Sequence, residues 1–156
     1  MMGFMAANSG RATAASLVRT SSKTSGGVDL TSRNADGSGG YQLAWVQPGE
    51  WLNYTVAVAA TGTYTLGMAL ASQGAGGTFH FTLDGVAVSG TFTVPNTGGW
   101  YTWQTLTGPA LSLPVGRHTL RLVCDTVGSS GFVGNFAWFS LDGTNASHYL
   151  PLVRQG

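Results

Sequence analysis

The chain has 156 residues, with seven Lys or Arg against six Asp or Glu, a formal net charge of +1, 24 Gly, one Cys and only 8% charged residues. That length suits one domain with its own hydrophobic core. The sparse, scattered charge offers no basic stripe for a phosphate backbone, so nucleic acid is not an expected partner; no apolar run approaches the roughly 18 residues of a membrane span, so a membrane is not expected either.

Exposed helix faces are built from Glu, Lys, Arg and Gln, which are scarce here, whereas Gly, Thr, Val and aromatics suit strands joined by turns. The chain therefore reads as all-β. Residues 1–27 ("NSGRATAASLVRTSSKTSGG" within them) are small and polar without a sustained period, and are expected as an irregular N-terminal segment. The opening "MMGFMAANSG" has no basic n-region and too short an apolar stretch for a secretory leader. Strand-length runs then follow at 28–30, 41–46, 50–59, 62–71, 78–83, 86–94, 101–113 (either continuous or broken near Gly108 and Pro109), 118–125 and 134–141. Asp84–Gly85 is a tight-hairpin signal, and "QPGE", "PNTGG" and "LPVGRH" mark wider connections. About nine strands at this spacing predict two antiparallel sheets packed face to face, a β-sandwich over residues 28–142 with a C-terminal tail at 143–156.

The stretch "NTGGWYTWQT", residues 96–105, puts three large aromatics directly behind Gly-Gly. Side chains alternate along a strand, so Trp100 and Trp103 lie on opposite faces. Trp103 is expected in the core, and Trp100 at a loop rim, either capping the sandwich or offering a flat surface to a sugar ring. Cys124 alternates with Arg121 and Val123 beside Leu120 and Leu122, and is expected as a small buried core residue.

Glycoside hydrolysis needs two carboxyl groups flanking the bond. Asp36, Asp84 and Asp142 each precede Gly, as turn residues do, and Asp29, Glu50 and Asp125 show no pairing in the sequence. His80 and His118 read as solvent-facing strand residues, His148 lies in the tail, and no His/Cys spacing suggests zinc. The segment "SQGAGG" lacks the setting of a phosphate-binding loop. An enzyme is not expected.

The runs "GGYQLAWVQPGEWLNYTVAVAATGTYTLGMALAS", "LDGV", "GTFTVPNTGGWYTWQTLTGPALSLPVGRHTLRLV" and "GNFAWFSL" occur in an order that resembles family 6 carbohydrate-binding modules. The resemblance covers about residues 28–141. It implies a lectin-like β-jelly roll, non-catalytic, of the kind attached to secreted glycoside hydrolases, and so an extracellular location. It also implies a loop-edge site in which two aromatics, Trp45 and Trp100, clasp a sugar ring while Asn135 hydrogen-bonds to it, with Tyr41 and Gln42 reading further hydroxyls. A second cleft in some members uses the tryptophan of the "GEW" motif, here Trp51, with Asn53 on the same face; a Trp simply packed under its neighbours is the competing expectation.

Departures from the family pattern are equally specific. "MMGFMAANSG" stands where relatives carry an Ile-Glu-Ala-Glu-like first strand that also supplies ligands to a structural calcium, and Ala137 replaces a further calcium ligand. No cofactor or metal is therefore expected. Thr31 occupies a position where relatives often carry an acidic residue that supplements the sugar site. A missing first strand would leave a sheet edge to be covered by the N-terminal segment, by the tail, or by a second copy in a homo-oligomer. The expected function is binding of a neutral polysaccharide of the β-glucan or xylan class; the alternative is a structural or adhesive jelly roll that has lost sugar binding. Exposure of Trp45 and Trp100 on facing walls of one cleft separates the two.

Overall fold

Alternation of apolar and polar residues at a period of two builds the molecule. The computed structural model describes residues 15–23, 30–32 and 41–143, with side chains described over 42–143. Among the described residues eleven strands run in chain order: β1 Ala15–Lys23, β2 Leu30–Ser32, β3 Tyr41–Leu43, β4 Trp51–Val58, β5 Gly62–Ser72, β6 Thr78–Leu83, β7 Val86–Ala87, β8 Phe92–Thr93, β9 Gly99–Leu113, β10 Gly116–Thr126 and β11 Asn135–Gly143. They form two antiparallel sheets. One is six-stranded, in the order β1-β4-β10-β6-β7 with β8 also on β6; the other is five-stranded, β2-β3-β11-β5-β9.

In β4, β6 and β10 every second residue points inward, so Leu52, Tyr54, Val56, Phe79, Phe81, Leu120, Leu122 and Cys124 meet the other sheet. From that side come Tyr64, Leu66, Met68 and Leu70 of β5, Leu111 and Leu113 of β9, and Phe136, Phe139 and Leu141 of β11. The aromatic members interlock edge to face: Tyr54 with Phe139 at 4.7 Å between ring centroids, Phe79 with Phe136 at 5.1 Å and Phe81 with Phe139 at 5.5 Å. Such edge contacts set the positive rim of one ring against the negative face of the next. Cys124 is buried as expected, and burial first, then the charges of Glu50 and Asp125, push its thiol up to about 12.

Two expectations are corrected and one open alternative is resolved. The N-terminal segment is not irregular throughout: Ala15–Lys23 forms β1 and pairs with β4 from Ala15↔Val58 to Lys23↔Trp51, with a bulge between Arg19 and Ser21. The β4 edge that a missing first strand would expose is therefore covered by this same chain. Residues 86–94 are not one strand but two short ones, β7 and β8. The Ser89 hydroxyl between them accepts from the Phe81 amide and donates to the Gly90 carbonyl, which takes ladder positions away from a continuous strand. Strand β9 runs through Gly108 and Pro109, shifting register there between Thr65 and Gly67 of β5; a bulge accommodates a proline that has no amide to give. The tail 143–156, with His148, lies outside the described residues apart from Gly143, as do Asp29 and Asp36.

Candidate functional site

Three loops at one end of the five-stranded sheet converge on a cleft of ≈ 140 Å³ lined by Gln42, Ala44, Trp45, Trp100, Tyr101, Phe132 and Asn135. Its floor comes from neighbouring strands. The pairing Phe136↔Leu43 sets the end of β3 beside the start of β11, which brings Gln42 and Ala44 next to Asn135. Gln42 and Asn135 are both buried, so two amide side chains sit at the base of an otherwise aromatic cleft.

Trp45 forms one wall. Ala44 and Val46 on either side of it are buried, while Trp45 is 53% exposed. Its backbone sits at φ +53°, in the left-handed region that an L-residue with a bulky side chain rarely adopts. That conformation turns the indole out of the sheet while both neighbours stay in. The Val46 carbonyl accepts from the Val133 amide at 2.9 Å, and Gln47 Nε2 donates to the Gly131 carbonyl, tying this loop to the one that carries Phe132.

The opposite wall answers the puzzle of three aromatics behind Gly-Gly. Leu70 pairs with Gln104 and Ser72 with Gly99, so four residues of β9, 100–103, face the single Ala71 of β5. With three residues in surplus, the stretch Trp100, Tyr101, Thr102 and Trp103 is pushed out of the ladder. The turn before them is braced: Asn96 Oδ1 accepts from the Gly98 and Gly74 amides at 3.0 and 3.1 Å, and Thr97 Oγ1 accepts from the Ser72 amide at 2.9 Å. Gly98, at φ +91°, takes a conformation open to glycine. Trp100 itself is half-buried, set edge-on against Phe132 at 5.8 Å. Asn135 Nδ2 donates to the Trp100 carbonyl at 3.0 Å, so the buried amide fixes the wall above it.

The structure brings Trp45, Trp100, Asn135 and Gln42 together in one cleft. Tyr41 opens β3 beside Gln42, and its side chain is outside the described ones. The expectation that Trp103 is a core residue is corrected: it is half-buried and stands apart from the core cluster, because the bulge lifts it out of alternation with its strand. Phe132 and Tyr101 line the cleft without having been singled out beforehand. Phe132 follows "GSSG", which reads as a loop; its rim position depends on a turn closed by Gly131 to Gly128 and by the Ser130 hydroxyl, which no local pattern announces.

Trp51 and Asn53 lie elsewhere, on the outward face of the six-stranded sheet. The Arg121 guanidinium sits 4.2 Å over the Trp51 ring, and Arg121 Nε donates to Asn53 Oδ1 at 2.7 Å. The histidines are not simply solvent-facing: His80 Nδ1 pairs with Asp125 Oδ2, and His118 Nδ1 with Asp84 Oδ2, each at 2.7 Å. Asp84 and Asp125 thus have partners that spacing did not reveal, and neither pair lines the aromatic cleft. Among the described residues no group of three or more His, Cys, Asp or Glu is placed to hold a metal ion. No helix there is long and apolar enough to cross a membrane.

An antiparallel two-sheet sandwich with an aromatic cleft at its loop edge is the architecture of a carbohydrate-binding β-sandwich. The chain belongs to family 6 of the carbohydrate-binding modules, whose family model matches residues 20–143. Modules of this family are non-catalytic and bind polysaccharides. Over 100 residues, 62% of the chain, it is 35% identical to beta-agarase AgaA of Microbulbifer thermotolerans; the match spans 22% of that enzyme's length. Among solved structures it resembles the C-terminal family 6 module of LamC, a marine laminarinase from Zobellia galactanivorans, with a TM-score of 0.66 at 22% identity over 82% of this chain and 98% of that one. It also resembles the module CBM6cm-2 of Cellvibrio mixtus lichenase 5A, solved with cellotriose, with a TM-score of 0.61 at 26% identity over 81% of this chain and 90% of that one.

Proposed function

We propose that the loop-edge cleft binds one sugar ring of a neutral polysaccharide, of the β-glucan or xylan class or a related galactan, between Trp45 and Trp100. The observation that carries this reading is the pair of indoles walling one cleft, one of them held out at φ +53°. A backbone kept in so sparsely populated a region, with its indole exposed, points to use of that side chain. It also favours sugar binding over a purely structural jelly roll.

The apolar C–H face of a pyranose would stack on the indoles, edged by Phe132 and Tyr101. With Asn135 Nδ2 engaged by the Trp100 carbonyl, its Oδ1 would accept a sugar hydroxyl, and Gln42 and Tyr41 would read others. A cleft of ≈ 140 Å³ is small beside the roughly 300–1,000 Å³ of drug-sized pockets and suits a single ring. Affinity would be modest, on the order of 1 mM to 1 µM, because sugar hydroxyls exchange water for protein partners at little net gain.

In this reading the chain is not an enzyme, acts outside the cell, and serves a linked glycoside hydrolase by raising effective concentration at the polysaccharide. It uses no structural calcium at the family's usual place: Ala137 is buried and brings a methyl group where a hard cation needs oxygen. Tryptophan fluorescence titration with laminarin, xylan, cello-oligosaccharides and agarose fragments tests the clasp. We expect a saturable shift with one of them that Trp100→Ala abolishes; a flat response from the folded parent to all four would overturn the reading.

A further inference from the structure

The two walls of the cleft are held in different ways. Trp45 is set by its own backbone conformation, whereas Trp100 belongs to a stretch of β9 that has left the ladder, so its place depends on what grips the two ends of that stretch. One end is the regular pair Leu70↔Gln104. At the other, Gly99 stands opposite Ser72, and there a side chain does much of the gripping.

That side chain is Thr97. Its Oγ1 accepts from the Ser72 amide at 2.9 Å, and its own proton can go to the Ser72 or the Gly99 carbonyl, at 3.2 and 3.1 Å. The Thr97 amide also donates to the Ser72 carbonyl at 3.0 Å. One hydroxyl thus joins the last residue of β5 to the first of β9, directly before Trp100. Ser72 is buried, so its amide has no bulk water to turn to if that acceptor is lost. Gly98, between Thr97 and Gly99, has nothing within 4 Å of the place a Cβ would take, so glycine serves the φ of +91° there and adds no stiffness through packing. Exposed Asn96 closes the turn on Gly98 and Gly74 from the solvent side, while Thr97 ties it to the sheet. Thr97 itself does not line the cleft.

We propose that Thr97 is a positioning residue for the clasp: its hydroxyl fixes where the Trp100 wall stands over the cleft and thereby sets the affinity for a sugar ring. This rests on the clasp reading, but the placement of Trp100 can be read without any sugar.

The test compares the parent with Thr97→Val, which keeps the shape and loses the hydroxyl, and Thr97→Ser, which keeps the hydroxyl. A thermal melt establishes that each is folded. Indole N–H signals in a proton–nitrogen NMR spectrum report the five tryptophans, those of Trp100 and Trp45 being assigned by their loss in Trp100→Phe and Trp45→Phe. Affinity is titrated with laminarin, xylan, cello-oligosaccharides and agarose fragments. In Thr97→Val the Trp100 signal is expected to move while that of Trp45 stays, and the glycan that binds the parent to weaken by about tenfold. Thr97→Ser should restore the signal and keep affinity within about threefold of the parent. A hydroxyl that only stabilised the fold would lower the melting temperature and leave signal and affinity alone. If Thr97→Val does not fold, Thr97→Ala, which admits water to the Ser72 amide, takes its place with changes in the same direction. The proposal is overturned if the Trp100 signal is unmoved without the hydroxyl, if it moves and affinity is unchanged, or if Thr97→Ser behaves as Thr97→Val does. If none of the four glycans binds the parent, the clasp falls and takes the affinity claim with it, whereas the indole signals still decide whether Thr97 places Trp100.

Discussion

Trp45 shows at the scale of one residue how conformation and use can pull apart. A left-handed backbone costs a non-glycine residue about 1–2 kcal/mol, and an indole that stays half in water recovers little of it by burial. Glycine would remove that strain, at about 0.5–1 kcal/mol for its greater freedom when unfolded. Trp45→Gly should therefore leave stability within about 1 kcal/mol of the parent while abolishing binding at the cleft. Chemical denaturation beside a glycan titration checks both halves. A loss above about 2 kcal/mol would make Trp45 a packing residue instead. The identities of Trp45, Trp100, Asn135 and Gln42 were legible in the sequence because motif order places them. The strain at Trp45 was not, since nothing in "LAWVQ" asks for a positive φ; only contact between two distant loops imposes it.

Strands and turns show a similar division. Those with clean alternation, such as β4 and β6, stand within a residue of their expected limits because half-buried strands leave a period-two trace. The aromatic stretch misleads on Trp103 for the same reason: alternation holds only while the ladder stays in register, and three surplus residues in β9 break it. The His118–Asp84 pair, which joins the β6–β7 turn to β10, was hidden too, as its partners are 34 residues apart. It makes a pH prediction. The hydrogen bond to Asp84 raises His118 above its ordinary 6.5, and His118 Nε2 also meets the Pro114 carbonyl. Stability from His118 is thus fully present below 6.5 and is lost as pH rises through its raised folded value. The Thr119 amide, then His118, hold Asp84 below its ordinary 3.8, so that contribution is present above 3.8 and lost as pH falls through the lowered value. Melting temperature against pH should decline on both flanks, and His118→Gln should flatten the alkaline one; an unchanged alkaline flank in that variant would sink the assignment.

At the scale of the whole molecule, the sandwich and its two-sheet division follow from composition and turn spacing, while strand β1 does not. "ASLVRTSSK" is too small and polar to announce itself, and it is a strand because the β4 edge offers a row of unpaired amides and carbonyls. Removing residues 1–23 should therefore lower the melting temperature and drive association through β4, read by light scattering. A truncated chain that stays monomeric with an unchanged melt would show that β1 contributes nothing to the sheet. The four residues of β9 that face Ala71 carry a different kind of consequence. They hang outside the ladder between two well-registered pairings, so their number and identity can change without moving a core contact. A lineage carrying this sandwich could exchange one sugar for another by rewriting that short overhang, with the rest of the chain under no pressure to follow.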